Sequence, residues 1–148
     1  MSICLLDTNV LVALAWPNHV HHETAHQWFA RHAKNGWATC PLTQCGFVRI
    51  SSNPRISSGS VTPGNALTIL RGMTSHKQHR FWPADIDYSQ DGKHLAGMLT
   101  GHQQVTDSYL MHLAIKHKGR LATFDKGIVA LVPAGKTVRE CIELLVVG

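Results

Sequence analysis

The chain has 148 residues, of which 44% are hydrophobic and 16% are charged, so it can bury one core and is too apolar to be disordered. Its apolar runs are too short to cross a bilayer and no secretory signal is visible, so we expect a cytoplasmic protein without a membrane segment. The net charge of +5 is compatible with a polyanionic partner such as a nucleic acid.

Strand-like and helix-like segments alternate in the first third of the chain. Residues 3–6 form a short apolar run that predicts a buried strand, and residues 10–15 predict a helix. Residues 23–33 repeat apolar side chains at helical spacing, which predicts a second helix. A second strand is predicted at residues 37–40 and a third helix at residues 42–50.

The middle of the chain contains one clear helix. Thr62 and Pro63 predict its start, because threonine is a good N-cap and proline fits the first helical position. Its predicted buried face consists of the apolar residues of the following turns, Ala66, Leu67, Ile69, Leu70 and Met73. Residues 81–83 fit neither a helical pattern nor a strand pattern.

The last third of the chain repeats the alternation of strand and helix. Thr106 and Asp107 predict the N-terminal cap of a helix. Residues 121–124 predict a strand, and a last strand is predicted at residues 142–147. Short apolar strands that alternate with helices predict an α/β fold, in which helices cover both faces of a mostly parallel sheet.

Residues 21–26 contain the pattern His22-Glu23-x-x-His26, with which zinc peptidases bind zinc and position a general base. On a helix the two histidines would lie one turn apart on the same face. A catalytic zinc also needs a third protein ligand, and no further spacing marks one. Because eleven histidines make chance matches common, a zinc peptidase is kept only as an alternative.

Three aspartates lie at the ends of predicted strands or at the start of a predicted helix. Asp7 follows the first strand, Asp125 follows a later one, and Asp107 begins the helix before that strand. Ligands bind beyond the carboxyl ends of the strands in open parallel sheets, so these side chains are expected to meet at one edge. Clustered carboxylates repel each other unless a hard divalent cation offsets their charge. The sequence therefore predicts a Mg²⁺ site, with Mn²⁺ as a substitute, that activates water for phosphodiester cleavage.

The segments around these aspartates, LLDTNVLVAL, VTDSYLMHLA and GRLATFDKGI, resemble the signature segments of PIN-domain nucleases. Together with GWATCPLTQCGFVRISSNP and FWPADI they resemble, more narrowly, the VapC-type toxins of bacterial type II toxin–antitoxin systems. The resemblance implies a three-layer α/β/α sandwich with a mostly parallel central sheet, as a single PIN-like nuclease domain over residues 1–148. It also implies a Mg²⁺-dependent endoribonuclease that forms a homodimer and is blocked by a VapB-like antitoxin.

The resemblance also assigns expected roles to single positions. Asp7 and Asp107 match the aspartates expected to ligate the metal, and Asp125 matches the acidic residue that completes the cluster. Small polar groups suited to hydrogen bonding around these ligands are expected at Thr8, Asn9 and Thr123. Gln44 is also expected near the metal ligands, although it departs from the family pattern. Arg49 and Lys126 lie near the expected active edge and are candidate contacts to RNA phosphates.

Gln44 departs from the family pattern, which usually has a glutamate at this position. A glutamine side chain can form hydrogen bonds, but it supplies no negative charge and cannot act as a base. We therefore expect a site of three carboxylates, with a weaker second metal position or slower hydrolysis. The same departure motivates an alternative function, a PIN-like RNA-binding protein with weak or no catalysis.

Overall fold

A five-stranded parallel sheet lies at the centre of the structure, a computed structural model that describes residues 2–57 and 59–146. Its strands, in chain order, are β1 (Cys4–Leu6), β2 (Trp37–Thr39), β3 (His79–Phe81), β4 (Arg120–Thr123) and β5 (Ile142–Leu144). Their order across the sheet is β3-β2-β1-β4-β5, and every neighbouring pair is parallel. The carboxyl ends of these strands therefore lie along one edge of the sheet.

Helices connect the strands and cover the sheet. The α-helices of the described residues are α1 (Thr8–Ala15), α2 (His22–His32), α3 (Pro41–Ser51), α4 (Pro54–Ser57), α5 (Pro63–Thr74), α6 (Tyr88–Asp91), α7 (Gln104–Lys116) and α8 (Val138–Cys141). Short 3₁₀ helices lie at Ala33–Asn35, Lys93–Leu95 and Lys126–Leu131. None of the helices in this part of the chain is both long and apolar enough to cross a lipid bilayer.

The sheet has a separate apolar core on each of its faces, because successive side chains of a strand point to opposite sides. Cys4 and Leu6 of β1 pack on one side against buried residues of α1, α2, α3 and α5. Leu5 packs on the other side, where α7 and α8 supply buried residues such as Leu110 and Cys141. The expected three-layer α/β/α sandwich is confirmed, and the central sheet is wholly parallel over the described strands.

The ends of the predicted elements agree with the structure to within two residues, except at the start of α7 and the end of β5. α7 begins at Gln104 rather than at a cap formed by Thr106 and Asp107, because hydrogen bonds such as that from Gln104 N to Gly101 O start the helical turns earlier. Asp107 therefore lies in the first turn of α7. β5 ends at Leu144, and residue 147 of the predicted strand lies outside the described residues.

Two further differences concern exposed apolar side chains. Residues 81–83 matched no pattern, yet β3 ends at Phe81 as an edge strand whose side chains are mostly exposed. The buried face predicted for α5 is correct for Ala66 and Leu70 but wrong for two others, because Leu67 is 51% exposed and Ile69 is 40% exposed. The face of α5 in contact with α3 is narrower than the apolar pattern predicts.

Candidate active site

The carboxyl edge between β1 and β4 is the topological switch point of the sheet. From β1 the chain continues to β2 and β3 on one side, whereas β4 and β5 lie on the other side. Connections that leave in opposite directions open a crevice, and α/β proteins bind their ligands in such crevices. Asp7 directly follows β1, and Asp125 comes two residues after Thr123, the last residue of β4.

Asp7 is buried, and both of its carboxylate oxygens are held by hydrogen bonds. Its Oδ1 accepts a hydrogen bond of 2.7 Å from the backbone N–H of Thr8, so Asp7 is the N-cap of α1. Its Oδ2 accepts a hydrogen bond of 2.8 Å from the hydroxyl group of Thr123. The Thr123 oxygen in turn accepts a hydrogen bond of 3.1 Å from the backbone N–H of Asp125. Thr123 therefore connects Asp7 and Asp125 across the switch point.

Asp107 and Asp125 are carried by two other elements. Asp107 lies in the first turn of α7, which packs against β1 and β4. Asp125 caps the 3₁₀ helix Lys126–Leu131, because its Oδ1 accepts a hydrogen bond of 2.8 Å from the backbone N–H of Gly127. Asp7, Asp107 and Asp125 thus each lie at the N-terminal end of a helix. Unpaired backbone N–H groups make such ends favourable for negative charge.

Burial and the neighbouring carboxylates raise the pKa values of Asp7 and Asp107. Burial raises the pKa of Asp107 to about 8, and the negative charges of Asp7 and Asp125 and a hydrogen bond with Asp125 add to the rise. Burial also raises the pKa of Asp7, a rise that hydrogen bonds from Thr123 and Thr8 oppose and the charge of Asp125 increases. Without a cation, protonation of one carboxyl group therefore relieves the repulsion within the cluster.

The donor set of these three aspartates fits a hard divalent cation. Within residues 2–57 and 59–146, no three His, Cys, Asp or Glu side chains are already arranged as a metal cage. Mg²⁺ does not require such a cage, because it is often held by one or two carboxylates and keeps several of its waters. A divalent charge beside Asp7, Asp107 and Asp125 would also offset the repulsion that helps to raise the pKa of Asp107.

The remaining predicted polar positions have different surroundings. Thr8 supplies a backbone N–H to Asp7, and Asn9 is exposed in the first turn of α1. Gln44 is half-buried, and its Nε2 donates a hydrogen bond of 3.0 Å to Thr39 Oγ1 at the end of β2. Over the described residues, no hydrogen bond joins Gln44 to the three aspartates. The structure thus brings Thr8 to the cluster and turns Gln44 toward β2.

Gly46 is the residue of α3 that allows α1 to approach closely. A Cβ atom at this position would lie 2.7 Å from Thr8 Oγ1, which is shorter than any ordinary contact. Gln44 is two residues away and therefore about 200° around the helix, so it faces a different direction from Gly46. Gly46 could not be identified from the sequence, since a single glycine inside a helical pattern is only a weak signal.

A cleft of about 690 Å³ opens beside the cluster. Thr8 and Thr106, the chain neighbours of Asp7 and Asp107, form part of its lining, and Arg49 contributes a cationic group. Its apolar and aromatic lining includes Leu42, Tyr88 and Tyr109. A cation for phosphate and flat apolar surface for a base are the features with which proteins bind single-stranded RNA.

The two tyrosines of this cleft were not identified from the sequence, because Tyr109 lies in an apolar helical stretch that is typical of a core and Tyr88 lies in no recognisable pattern. Tyr109 is indeed largely buried, and its hydroxyl group donates a hydrogen bond of 3.1 Å to the Ile86 carbonyl oxygen. Lys126 is exposed directly after Asp125, so its side chain is accessible from solvent beside the carboxylate cluster. Only the fold shows that Leu42 and Arg49 of α3 line the same cleft as α7.

The zinc-peptidase pattern lies on α2, outside the carboxylate cluster. The rings of His22 and His26 are 4.6 Å apart between centroids, and Glu23 is exposed with a hydrogen bond of 3.4 Å from Gln27. No third His, Cys, Asp or Glu joins the two histidines in a metal-holding group, as far as the chain is described. The pattern therefore lacks the third protein ligand that a catalytic zinc requires.

Sequence comparison identifies the family to which this arrangement belongs. The PIN domain profile matches residues 4–132, a stretch that includes Asp7, Asp107 and Asp125. The chain belongs to the PIN-domain family. This membership agrees with the parallel sheet and with the position of the aspartates at its carboxyl edge.

Curated PIN-domain relatives of VapC type match nearly the whole chain. The chain is 46% identical to Ribonuclease VapC39 of Mycobacterium tuberculosis over 131 residues, 88% of this chain and 94% of the relative. It is 40% identical over 145 residues to Ribonuclease VapC38 of the same organism, 98% of this chain and 99% of the relative. Ribonuclease VapC44, also from this organism, is 39% identical over 140 residues, 95% of this chain and 98% of the relative. The resemblance to VapC-type PIN-domain proteins is confirmed.

Proposed function

We propose that this PIN-domain protein is a Mg²⁺-dependent endoribonuclease, the toxin of a type II toxin–antitoxin system of the VapBC type. The observation that carries the proposal is the gathering of Asp7, Asp107 and Asp125 at the switch point between β1 and β4. There the Thr123 hydroxyl group joins Asp7 to the backbone of Asp125, and the charges of Asp7 and Asp125 add to the rise in the pKa of Asp107. The relatives named as VapC ribonucleases support RNA as the substrate. Mn²⁺ is expected to substitute for Mg²⁺, because it also binds carboxylate and water oxygens.

In the proposed site the carboxylates of Asp7, Asp107 and Asp125 hold the cation. A divalent cation at such a site supplies the charge that activates water and stabilises the negative charge developing on the phosphate. Thr123 and the backbone N–H of Thr8 keep the Asp7 carboxylate oriented. Because Asp7 is buried, its position is set by the fold rather than by the substrate.

The cleft beside the cluster is the proposed path of the RNA strand. Arg49 on one wall of the cleft and Lys126 beside Asp125 would contact phosphates, and the ring of Tyr88 offers an apolar surface for a base. Asn9, exposed at the start of α1, remains a proposed hydrogen-bonding group around the metal ligands. These groups position the substrate, whereas the aspartates hold the cation.

A VapB-like antitoxin, a homodimer and a cytoplasmic location are proposed from the VapC relationship. The antitoxin is tested by co-expression of the chain with the product of the neighbouring reading frame, followed by RNA cleavage with and without that product. The homodimer is tested by light scattering of the purified chain. A monomer at all concentrations, or full cleavage in the presence of the co-purified product, would contradict these proposals.

RNA cleavage by the purified chain tests the central proposal. We expect cleavage in Mg²⁺, no cleavage with a chelator, and restoration when Mg²⁺ or Mn²⁺ is returned. Asp7→Asn and Asp107→Asn should each lower the rate by at least about 100-fold, because each removes a negatively charged oxygen ligand. Asp91→Asn, which changes an exposed aspartate on α6, is the matched control and should cleave like the unchanged chain. Cleavage that persists in chelator or in both ligand variants would refute the proposal.

Gln44 favours a second candidate, an RNA-binding PIN-domain protein with little catalysis. Its uncharged amide is already engaged with Thr39, so it adds no negative charge to the site. Tight RNA binding without cleavage at any Mg²⁺ concentration would support this candidate. Gln44→Glu tests whether the missing carboxylate limits catalysis. Higher Mg²⁺ affinity and a faster rate of RNA cleavage in this variant would show that it does. Unchanged affinity and rate would assign Gln44 to the packing of α3 on β2.

A further inference from the structure

Four of the eleven histidines lie within residues 19–26, and the proposed ribonuclease reaction uses none of them. We propose that two of these, His22 and His26, form a binding site for a divalent transition-metal ion such as Zn²⁺, Ni²⁺ or Cu²⁺. Imidazole nitrogens suit these ions, whereas Mg²⁺ prefers oxygen ligands. The site would therefore be distinct in both position and metal preference from the carboxylate cluster.

The distance between the two rings suits a shared ion. His22 and His26 lie one turn apart on α2, with ring centroids separated by 4.6 Å and ring planes inclined by 52°. When two imidazole nitrogens bind one ion at about 2.0–2.1 Å, the ring centres lie about 5 Å apart. The observed separation is close to this value, so an ion could join the two rings without a change in the α2 backbone.

His22 is already oriented in the way metal-binding histidines usually are. Its Nδ1 lies 2.7 Å from the Ala13 carbonyl oxygen, and since a carbonyl only accepts, Nδ1 must carry the proton. In the neutral ring, Nε2 then has a free electron pair for a metal ion. A hydrogen bond from the second ring nitrogen commonly fixes the tautomer and direction of a metal ligand. Here the bond also ties the start of α2 to α1.

His26 leaves room for the rest of the coordination sphere. It is exposed, and its ring has no hydrogen-bond partner among the described residues. It lies on a depression of about 370 Å³ whose lining also contains Met73 and His76. Water can therefore complete the coordination of an ion bound to the two rings. With no third protein ligand in the described part of the chain, the ion is expected to stabilise α2 rather than to cleave peptides.

Calorimetric titration of the untagged, full-length chain with NiCl₂ and ZnCl₂ tests this site, with excess Mg²⁺ present to occupy the carboxylates. We expect one equivalent of bound ion and a loss of affinity of about tenfold or more in His26→Ala. His26 is the residue to change first, because its exposed ring makes no hydrogen bond that folding requires. His102→Ala, which removes an exposed histidine elsewhere, is the matched control, and it should bind like the unchanged chain. Asp107→Asn should also bind Ni²⁺ and Zn²⁺ like the unchanged chain.

Two further measurements separate this site from the ribonuclease site. Electron paramagnetic resonance of the Cu²⁺ complex should show two nitrogen ligands in the unchanged chain and one in His26→Ala. Ni²⁺ should raise the unfolding temperature of the unchanged chain but not that of His26→Ala, while RNA cleavage in Mg²⁺ stays equal in both. Equal Ni²⁺ affinity in His26→Ala, or a loss of affinity in Asp107→Asn instead, would overturn the proposal, as would zinc-dependent hydrolysis of casein.

Discussion

The Thr123 hydroxyl group joins two of the three aspartates, because it donates to Asp7 and accepts from the backbone N–H of Asp125. Thr123→Val keeps the shape of the side chain but removes both hydrogen bonds, so the buried Asp7 carboxylate loses a donor. We expect Mg²⁺ affinity or the RNA cleavage rate to fall about 10–100-fold, as is typical for groups that orient metal ligands. Cleavage rates measured over a range of Mg²⁺ concentrations would separate the two effects.

Two variants control for the effects of removing a hydroxyl group. Thr123→Ser keeps the donor and is expected to retain most of the activity. Thr68→Val removes an exposed hydroxyl group on α5 that donates to the Gly64 carbonyl oxygen, and it should leave cleavage unchanged. A Thr123→Val protein that cleaves as fast as the unchanged chain at every Mg²⁺ concentration would show that Thr123 does not orient Asp7.

Single residues of the site differ in how far the sequence could predict them. Asp7 and Asp125 follow buried apolar strands, and strand ends at a switch point carry ligands, so their place could be expected. The family resemblance places Thr123 among the groups around the metal ligands. The hydrogen bonds by which it links Asp7 to Asp125 could not be expected, because they depend on the pairing of β1 with β4, which are far apart in the chain. The hydrogen bond of Gln44 to Thr39 likewise could not be expected, because it depends on the direction in which α3 presents the Gln44 side chain. A sequence motif alone does not determine that direction.

At the level of elements, the contact between α1 and α3 depends on Gly46. A Cβ atom there would lie 2.7 Å from Thr8 Oγ1 and 3.0 Å from Thr8 Cγ2. Gly46→Ala should therefore push α3 away from α1 and lower the free energy of unfolding by about 1–3 kcal/mol. Because Thr8 follows Asp7 directly, RNA cleavage should also fall. Urea unfolding and cleavage rates measured on the same preparation test both effects.

Gly72 on α5 provides the matched control for this helix contact. A Cβ atom at Gly72 meets no atom within 4 Å, so Gly72→Ala changes only helix propensity. It is expected to raise the free energy of unfolding by about 0.5–1 kcal/mol and to leave cleavage unchanged. If Gly46→Ala were also stabilising, close approach of α1 and α3 would not be what requires glycine at this position.

The strands could be predicted from the sequence where their side chains are almost all buried, but not where most of their side chains are exposed. β1 and β4 are runs of buried residues between helices, so their patterns are clear. β3 lies at the sheet edge with mostly exposed side chains, and such a strand has no apolar run to reveal it. Leu67 on α5 was wrongly predicted to be buried, because its apolar side chain fits the helical pattern although it lies on the surface. Apolar residues also occur on protein surfaces, so an apolar pattern alone overestimates burial.

For the whole molecule, the repulsion among three carboxyl groups at one edge of the sheet should make the free energy of unfolding depend on pH. The pKa of Asp107 is raised to about 8 in the folded chain, so the folded state holds this proton more tightly than the unfolded state. Its contribution to stability is therefore fully present below the ordinary pKa of an aspartate and is lost as the pH rises through about 8. In chelator, the chain should become less stable between mildly acidic and alkaline pH.

Other titrating groups complicate this measurement, so Asp107→Asn serves as the reference. Burial lowers the pKa of His79 and of His19, and these groups change stability with the opposite sign, but they are present in both proteins. The difference in unfolding free energy between the unchanged chain and Asp107→Asn should therefore fall steadily with pH. Mg²⁺ should reverse the trend in the unchanged chain alone, because the cation competes with the proton and binds better as the pH rises. A difference that is flat with pH, and equally flat in Mg²⁺, would mean that Asp107 is not coupled to the other two carboxyl groups.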